Sequence, residues 1–491
     1  MDMKTKPNNF LLTGFYVVAP MTACVGEPIN IKIKALSSNR VIGSSAFTWS
    51  FPRLVSPANT SVRGTEYIDN VPEWTGTVQI EGENLSGPKH ICFNGTDQGA
   101  FPGDARAIKK CAGWSFNKPG VYFITATDND SDIRGVSNPI IVTKGIPNQR
   151  VYWGDIHWQS FFTDGLRFPE ELYDFARDEA FLDFGAASDH AEGLSDRQWE
   201  YFKSVTNDYN SDGEFATLIG FEWTHSGIGH RNIYYPGNDG PIFRSGDARF
   251  NDLDKLFNAL NDNEALAIPH HSSSADMGVN WELGWNPKYE KSVEIVSSWG
   301  SSECGAESGN PCPITVMKGE KKGQHVIDAL NKGYKFGFIG SGDIHDGRPG
   351  DSLHQYQKTA GYSLLYKQGL AAVYAPQLNR RNIYDAVKNR YTYAANTRNI
   401  YVDMKIDGAI IGSDVKAAPS HTIKLCVAST NPLIDIKLIG SNGVIHDFKP
   451  KKNTNVYNFK DSITINSKFC YLRVSAKNND MAWVSPFYFY A

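Results

Sequence analysis

The sequence predicts an α/β fold, with a parallel strand-helix sheet or barrel in the middle of the chain and β structure on both sides. Three observations carry that reading. Residues before 148 alternate apolar and polar with period two between polar turns and offer no convincing helix. From Arg150 onward, apolar runs alternate with helix-forming segments, the order expected of a parallel sheet or barrel. Near Tyr401 the chain reverts to β runs. The boundaries fall at 1–148, 149–400 and 401–491.

In the first region, Ile29–Ala35 alternates strictly, and Gly120–Thr127 and Asn138–Thr143 are similar. Several short strands separated by turns such as Asp128–Ser131 suggest an Ig-like β-sandwich. Lys144–Asn148 reads as a linker. In the middle region, Pro169–Ala180 opens with Pro followed by two acids, a favourable helix start. Asn251–Asn261 and Gly323–Lys332 read as further helices. The last region offers strands at Tyr401–Ile406, Thr422–Ala428, Ile434–Ile439, Phe469–Ala476 and Trp483–Tyr490, read as a second, smaller β domain.

Composition narrows the function classes. Lys plus Arg is 49 and Asp plus Glu is 53 in 491 residues, a net charge of -4. That excludes a chain-wide polybasic surface, so no nucleic-acid partner is expected. No apolar run reaches about 18 residues, so no membrane-spanning helix is expected. Lys4 and Lys6 ahead of Phe10–Ala19, with Met21–Cys24, faintly resemble a lipoprotein leader. Phe15–Ala19 and Ile29–Ile33 read better as two strands joined by a turn. A cytoplasmic location is therefore favoured, or an exported one if a leader has been trimmed. The oligomeric state is left open. Of the seven cysteines, Cys304 and Cys312 could close a small ring, Cys92 and Cys111 flank a loop, and Cys426 and Cys470 lie in strands. None has the CxxC spacing of a zinc-thiolate site.

The chemistry is carried by histidines. Nine of the twelve lie between 151 and 354, where chance would place about five. More telling is their position, because apolar runs repeatedly end in a possible metal ligand. Val151–Trp153 leads to Asp155 and His157. Leu182–Ala187 leads to Asp189 and His190, and Leu218–Phe221 to Glu222, with His225 and His230 beyond. Ala265–Ile268 leads to His270 and His271, Val293–Val296 contains Glu294, and Phe336–Ile339 leads to Asp343 and His345. In a parallel barrel the carboxyl ends of the strands gather at one face. Imidazole and carboxylate donors without thiolates suit Zn, Mn or Fe. So many acidic ligands in one cup favour a multinuclear centre.

These residues resemble a known family. Asp155-Ile-His157-Trp-Gln159-Ser160-Phe-Phe-Thr163-Asp164-Gly165 is similar to the opening motif of the PHP superfamily, named for polymerase and histidinol phosphatase. The later Ser-Asp-His, the Glu, the His after the fourth strand and the closing Asp-x-His follow in order over roughly 150–400. The chain further resembles a branch of that family with flanking β domains. The resemblance implies a distorted (β/α)7 barrel with two or three divalent metal ions, usually hydrolysing phosphoesters. One departure matters: Gln159 stands where the family has its second His. Gln159 is then either a poor ligand or a substrate contact.

On this reading, His157, Asp164, His190, Glu222, His230, His270, Asp343 and His345 are metal ligands, with Glu222 placed to bridge. Asp155 is expected to orient a ligand imidazole. His271 and His225 are candidates to protonate the leaving group, and Arg231 and Arg348 to grip an anionic substrate. Glu294 and Glu303 could be ligand or support, and His325 and His354 are read as surface residues. Seven of eleven Trp residues lie in this region; core packing is their usual role, while the polar, glycine-bearing loop carrying Trp281 and Trp285 offers the alternative of exposed rings able to pack on sugars. The expected function is a metal-dependent phosphoesterase in which a hydroxide bridging two metals attacks phosphorus. The substrate is a small molecule or a glycan. The alternatives are hydrolysis of a non-phosphate ester, amide or sulfate ester, or a non-catalytic glycan-binding protein.

Overall fold

A computed structural model describes residues 12–37, 69–70, 74–94, 107–351, 353, 357–359, 362–364 and 366–491. His354 and the lysines of the leader-like segment lie outside them. The chain divides into two compact units, Met1–Pro147 and Asn148–Ala491.

The described residues of the first unit contain strands and no helix. Leu12–Val18 pairs antiparallel with Ile29–Ser37, which pairs in turn with Ile108–Phe116. A second sheet orders Arg134–Val136, Thr125–Asp128, Thr75–Glu81 and His90–Asn94. A third joins Thr22–Cys24, Ile140–Thr143 and Gly120–Tyr122. Ile31, Ile33, Val78, Ile80, Ile140 and Val142 share one buried core, so alternate residues from all three sheets face the same interior. Gly120–Thr127 does not form one strand: it breaks at Phe123 and changes sheet.

The second unit is a mixed α/β body with many short sheets and five α-helices among its described residues. Arg150–Asp155, Phe184–Gly185 and Ala216–Thr217 are parallel neighbours, as the strand-helix alternation predicts. The seven-fold barrel does not follow. Ile219–Trp223 returns as the antiparallel strand Arg231–Tyr235, which pairs antiparallel with Leu266–Pro269. The connection between the first two is residues 224–230, too short for the crossover of a dozen or more residues that a parallel pairing needs. Ser292–Ser297 pairs parallel with Gly337–Gly340 in a third, separate sheet.

The helix expected at Pro169–Ala180 runs as Pro169–Asp174 and then widens, with the Ala180 N–H donating to the Phe175 carbonyl at 2.8 Å. Asp196–Asp208 is a helix the apolar pattern alone did not mark. Ser195 accepts from the Gln198 N–H while Gln198 accepts from the Ser195 N–H, closing a capping box at its start.

Residues 401–491 do not stand apart as a second β domain. Asp480–Val484 pairs with Thr392–Ala395 and Phe469–Ala476 with Asp480–Val484, so the sheet begun by Arg150–Asp155 runs on into the C-terminal segment. Three donors reinforce the join. Glu303, fully buried, accepts from Tyr471 Oη (2.7 Å), Arg473 Nη1 (2.9 Å) and Trp483 Nε1 (2.7 Å). Of the two readings open for Glu303, the structure shows the supporting one. All seven cysteines are free thiols, and Cys304 and Cys312 do not close a ring. The loop tryptophans are packed: Trp281 is buried and donates to the Gln324 carbonyl, and half-buried Trp285 stacks on Tyr334. Among the described residues no helix is long and apolar enough to cross a membrane.

Removing Glu303 would leave Arg473 with no counter-charge at a largely buried site. Glu303→Ala is expected to destabilise the second unit by about 3–5 kcal/mol, read by guanidinium unfolding.

Candidate metal centre

The strand ends of the second unit converge. His157 follows the strand Arg150–Asp155, and His190 bridges in parallel to Glu222 within Ile219–Trp223. His230 directly precedes Arg231–Tyr235, His270 and His271 follow Leu266–Pro269, and Asp343 and His345 follow Gly337–Gly340. Asp155 fixes this arrangement through backbone groups rather than through an imidazole. It accepts the N–H of His157 (3.0 Å), Gly342 (2.8 Å) and Gly350 (3.0 Å), tying the end of Arg150–Asp155 to the loop after Gly337–Gly340. Burial raises its pKa to about 6 against those donors.

Glu222 lies at the centre, with 1% of its surface accessible. Its Oε1 is 2.7 Å from His230 Nδ1 and 3.2 Å from His270 Nε2. Its Oε2 is 3.3 Å from His157 Nε2 and 3.4 Å from His190 Nδ1. The other nitrogen of His157 is 2.9 Å from Glu294 Oε2, which leaves Nε2 facing Glu222 and, at 3.4 Å, Asp343 Oδ1. A carboxylate holding the far nitrogen is the usual means of orienting a ligand imidazole. Asp164 Oδ1 is 3.5 Å from His190 Nε2 and 3.4 Å from His345 Nε2.

Four triads each bring their donor atoms within 4.8 Å of one another: His230, His270 and His271; His157, Glu222 and His270; His157, Glu294 and Asp343; and, sharing no member with these, Asp164, His190 and His345. All eight expected ligands and His271 belong to them. Glu294, open in the sequence as ligand or support, belongs to the group as well. Two members, His271 (φ 33°) and Asp343 (φ 48°), hold the left-handed backbone region, which costs of order 1–3 kcal/mol each and clusters at functional sites.

The donor set fits divalent cations. His230 Nε2, His270 Nδ1, His271 Nδ1, Glu294 Oε1, Asp343 Oδ2 and His345 Nδ1 are buried with no hydrogen-bond partner among the described residues. Buried polar atoms are rarely left so. All donors are imidazole nitrogens or carboxylate oxygens, with no thiolate. The electrostatics agree. Burial alone would lower His157, but Asp343, Glu294 and Glu222 hold it well above its ordinary value. His190 is likewise raised to about 10 by Glu222 and Asp164 in spite of burial. Burial and the His157 charge push His270 down to about 4, and burial with His270 and His230 pushes His271 down as well. Burial raises Glu294 to about 7 in spite of His157.

The remaining expected residues lie elsewhere. His225 is half-buried outside the triads, its ring stacked on Trp223 and its Nδ1 accepting from the Gly227 N–H. Arg231 does not grip an external anion: it is fully buried, paired with Glu290 at 3.1 Å, and donates to the Ile228 and Gly229 carbonyls. Arg348 is buried over the Phe175 ring, 3.7 Å from Asp351. His325 caps the helix Val326–Asn331 between Glu320 and Asp328 and is buried. Gln159 is fully buried. Its Oε1 accepts from the His190 N–H (3.1 Å) and Thr163 Oγ1 (3.2 Å), and its Nε2 donates to Glu222 Oε2 (2.7 Å) and the Ser188 carbonyl (3.2 Å). Those partners set the amide orientation and turn its oxygen away from Glu222.

Comparison with known proteins gives the following. Residues 166–291 match the family model described as "Protein of unknown function (DUF3604)". That span holds His190, Glu222, His230, His270 and His271. An uncharacterized protein of Chlamydia pneumoniae is 28% identical over 396 residues, covering 76% of this chain and 62% of the relative. One of Chlamydia trachomatis serovar D is 27% identical over 394 residues, with the same coverage. The chain thus spans 62% of the length of these relatives. A solved two-domain protein of Bacteroides vulgatus, described as containing a predicted PHP-like metal-dependent phosphoesterase, aligns with a TM-score of 0.36 and 16% identity, over 68% of this chain and 92% of its own.

Two outcomes follow from this geometry. Glu294→Gln is expected to weaken metal binding about 10–100-fold with the fold retained, measured by titration of the metal-free protein. Because His190 keeps its proton up to about pH 10 in the metal-free centre, metal uptake must displace it. Affinity should therefore fall as pH is lowered from about 9 to about 6, with proton release visible as a buffer-dependent binding enthalpy; a pH-independent affinity would contradict the assignment.

Proposed function

We propose that this chain is a metal-dependent hydrolase, with phosphoesters as its substrate class. The observation that carries the reading is the buried Glu222 carboxylate surrounded by four imidazoles, in a donor group with six unpartnered buried polar atoms. Two or three divalent ions of the Zn, Mn or Fe kind would be held by His157, Glu222 and Asp343, by Glu222, His230, His270 and His271, and by Asp164, His190 and His345. When bound, such ions supply a water-derived nucleophile near neutral pH and neutralise charge on the transferring group.

The protein's own residues do the positioning. Glu294 and Asp155 hold His157 by ring and backbone. Thr224 Oγ1 lies 2.6 Å from His190 Nδ1 and 3.3 Å from Glu222 Oε1. Asp164 and His190 form the open edge, with 44% and 24% of their side chains accessible, whereas His157, His270, Asp343 and His345 expose 6% or less. Substrate therefore approaches past Asp164 and His190, and the walls behind them exclude water. Burial, His270 and His230 hold His271 neutral, which suits it to ligate rather than to carry a proton. Since Arg231 is engaged by Glu290, carboxylic and sulfate esters are the second substrate class to test.

The test is elemental analysis of the purified protein, followed by assay against p-nitrophenyl phosphate, its bis-aryl diester, the sulfate and the acetate. The expected outcome is stoichiometric transition metal and metal-dependent release from a phosphate ester, lost to background in His345→Ala with an unchanged circular dichroism spectrum. Wild-type turnover in that variant, or a protein free of metal after reconstitution, would overturn the proposal.

A further inference from the structure

Building on the metal centre proposed above, we infer that Gln159 is a positioning residue that couples its two halves, binding no metal itself. The two halves are His157, His230 and His270 gathered on Glu222, and the Asp164–His190–His345 triad, which itself meets Glu222 through His190 Nδ1 at 3.4 Å. Gln159 touches both. Its Nε2 donates to Glu222 Oε2 at 2.7 Å, and its Oε1 accepts the backbone N–H of His190 at 3.1 Å. One planar amide thus fixes the carboxylate of one half relative to the backbone that carries an imidazole of the other.

The surroundings leave that amide no freedom. Its nitrogen has two acceptors, Glu222 and the Ser188 carbonyl, and its oxygen accepts the His190 N–H, with Thr163 Oγ1 at 3.2 Å sharing its single proton with Asp189. The side chain is fully buried. Thr163 Oγ1 is also 2.7 Å from Asp189 Oδ1, and Asp189 accepts the Ser160 N–H and hydroxyl, so the loop bearing Asp164 is tied to the segment bearing His190. Gly165 is required beneath it, since a Cβ there would lie 2.0 Å from the Gln159 carbonyl oxygen. An imidazole at 159 would meet at most one partner at each end, because its two ring nitrogens offer one donor and one acceptor where the amide offers two N–H groups and two lone pairs. Glutamine therefore exchanges a possible metal bond for a bracket between sites.

The test uses Gln159→Met, which keeps length and removes the amide. Metal-free and metal-loaded forms of the full chain are compared by thermal unfolding, calorimetric titration with Zn(II) and elemental analysis. The bracket predicts that the metal-free variant melts roughly 2–5 °C lower, because buried partners lose their hydrogen bonds. It also predicts that every bound equivalent weakens about tenfold while the number of equivalents is unchanged. An unchanged metal-free melting temperature with one equivalent lost would make Gln159 a direct ligand and overturn the inference. So would weakening confined to one equivalent, or no change at all. Gln159→Asn, one methylene shorter and able to reach only one end, is read the same way should the Met variant fail to fold. Failure of the metal reading itself is distinguishable, because the wild-type chain would then take up no Zn(II), and the coupling role would fall with it.

Discussion

Everything in the second unit is arranged around one buried carboxylate. An ionised Glu222 removed from water costs several kcal/mol unless it is compensated on the spot. Four imidazoles, the Gln159 amide and the Thr224 hydroxyl all lie within 3.4 Å of its two oxygens. Those partners come from four separate stretches of chain. Satisfying Glu222 therefore requires that the ends of several strands meet at one place. The fold does so at a cost in local strain, borne by His271 and Asp343 in the left-handed region, and by Asp155, whose burial is tolerated because it gathers three backbone N–H groups.

The order of support runs outward from that carboxylate. Glu294 holds the far side of His157, Asp155 its backbone, and Asp189 the loop of Asp164. Glu303 plays the corresponding part at the join with the C-terminal strands, away from the donors. Two buried acids of similar sequence setting, Glu294 and Glu303, thus differ in function because one faces an imidazole and the other faces Tyr471, Arg473 and Trp483.

Much of the centre was legible in the sequence because ligands at strand ends leave a pattern: an apolar run, then His, Asp or Glu. His157, His190, Glu222, His270, Asp343 and His345 all carried it. Pairing was less legible. Arg231–Tyr235 opens with a charge and a polar residue, so it does not read as a buried strand, and the hairpin it makes with Ile219–Trp223 is what breaks the alternating barrel pattern. The C-terminal strands were marked nearly residue for residue at Phe469–Ala476, yet nothing in a strand's own alternation says which sheet it joins. Core packing, the usual role of tryptophan, holds for Trp281 and not the alternative of an exposed ring. Gly and Asn around Trp281 mark a turn, but a turn residue can still point its ring into the core, as Trp281 does. Gln159 marked a departure by residue type alone, and only its four hydrogen-bond partners reveal what the departure does.

The central claim is that Glu222 is the shared ligand of a multinuclear metal centre. The most direct measurement is a crystal structure of the metal-reconstituted protein with anomalous scattering collected at the metal edge. The account predicts at least two peaks about 3.5–4 Å apart, both bonded to the Glu222 carboxylate, with imidazoles of His157 and His270 completing them. Peaks confined to the protein surface, or a single peak that leaves Glu222 unbound, would contradict it.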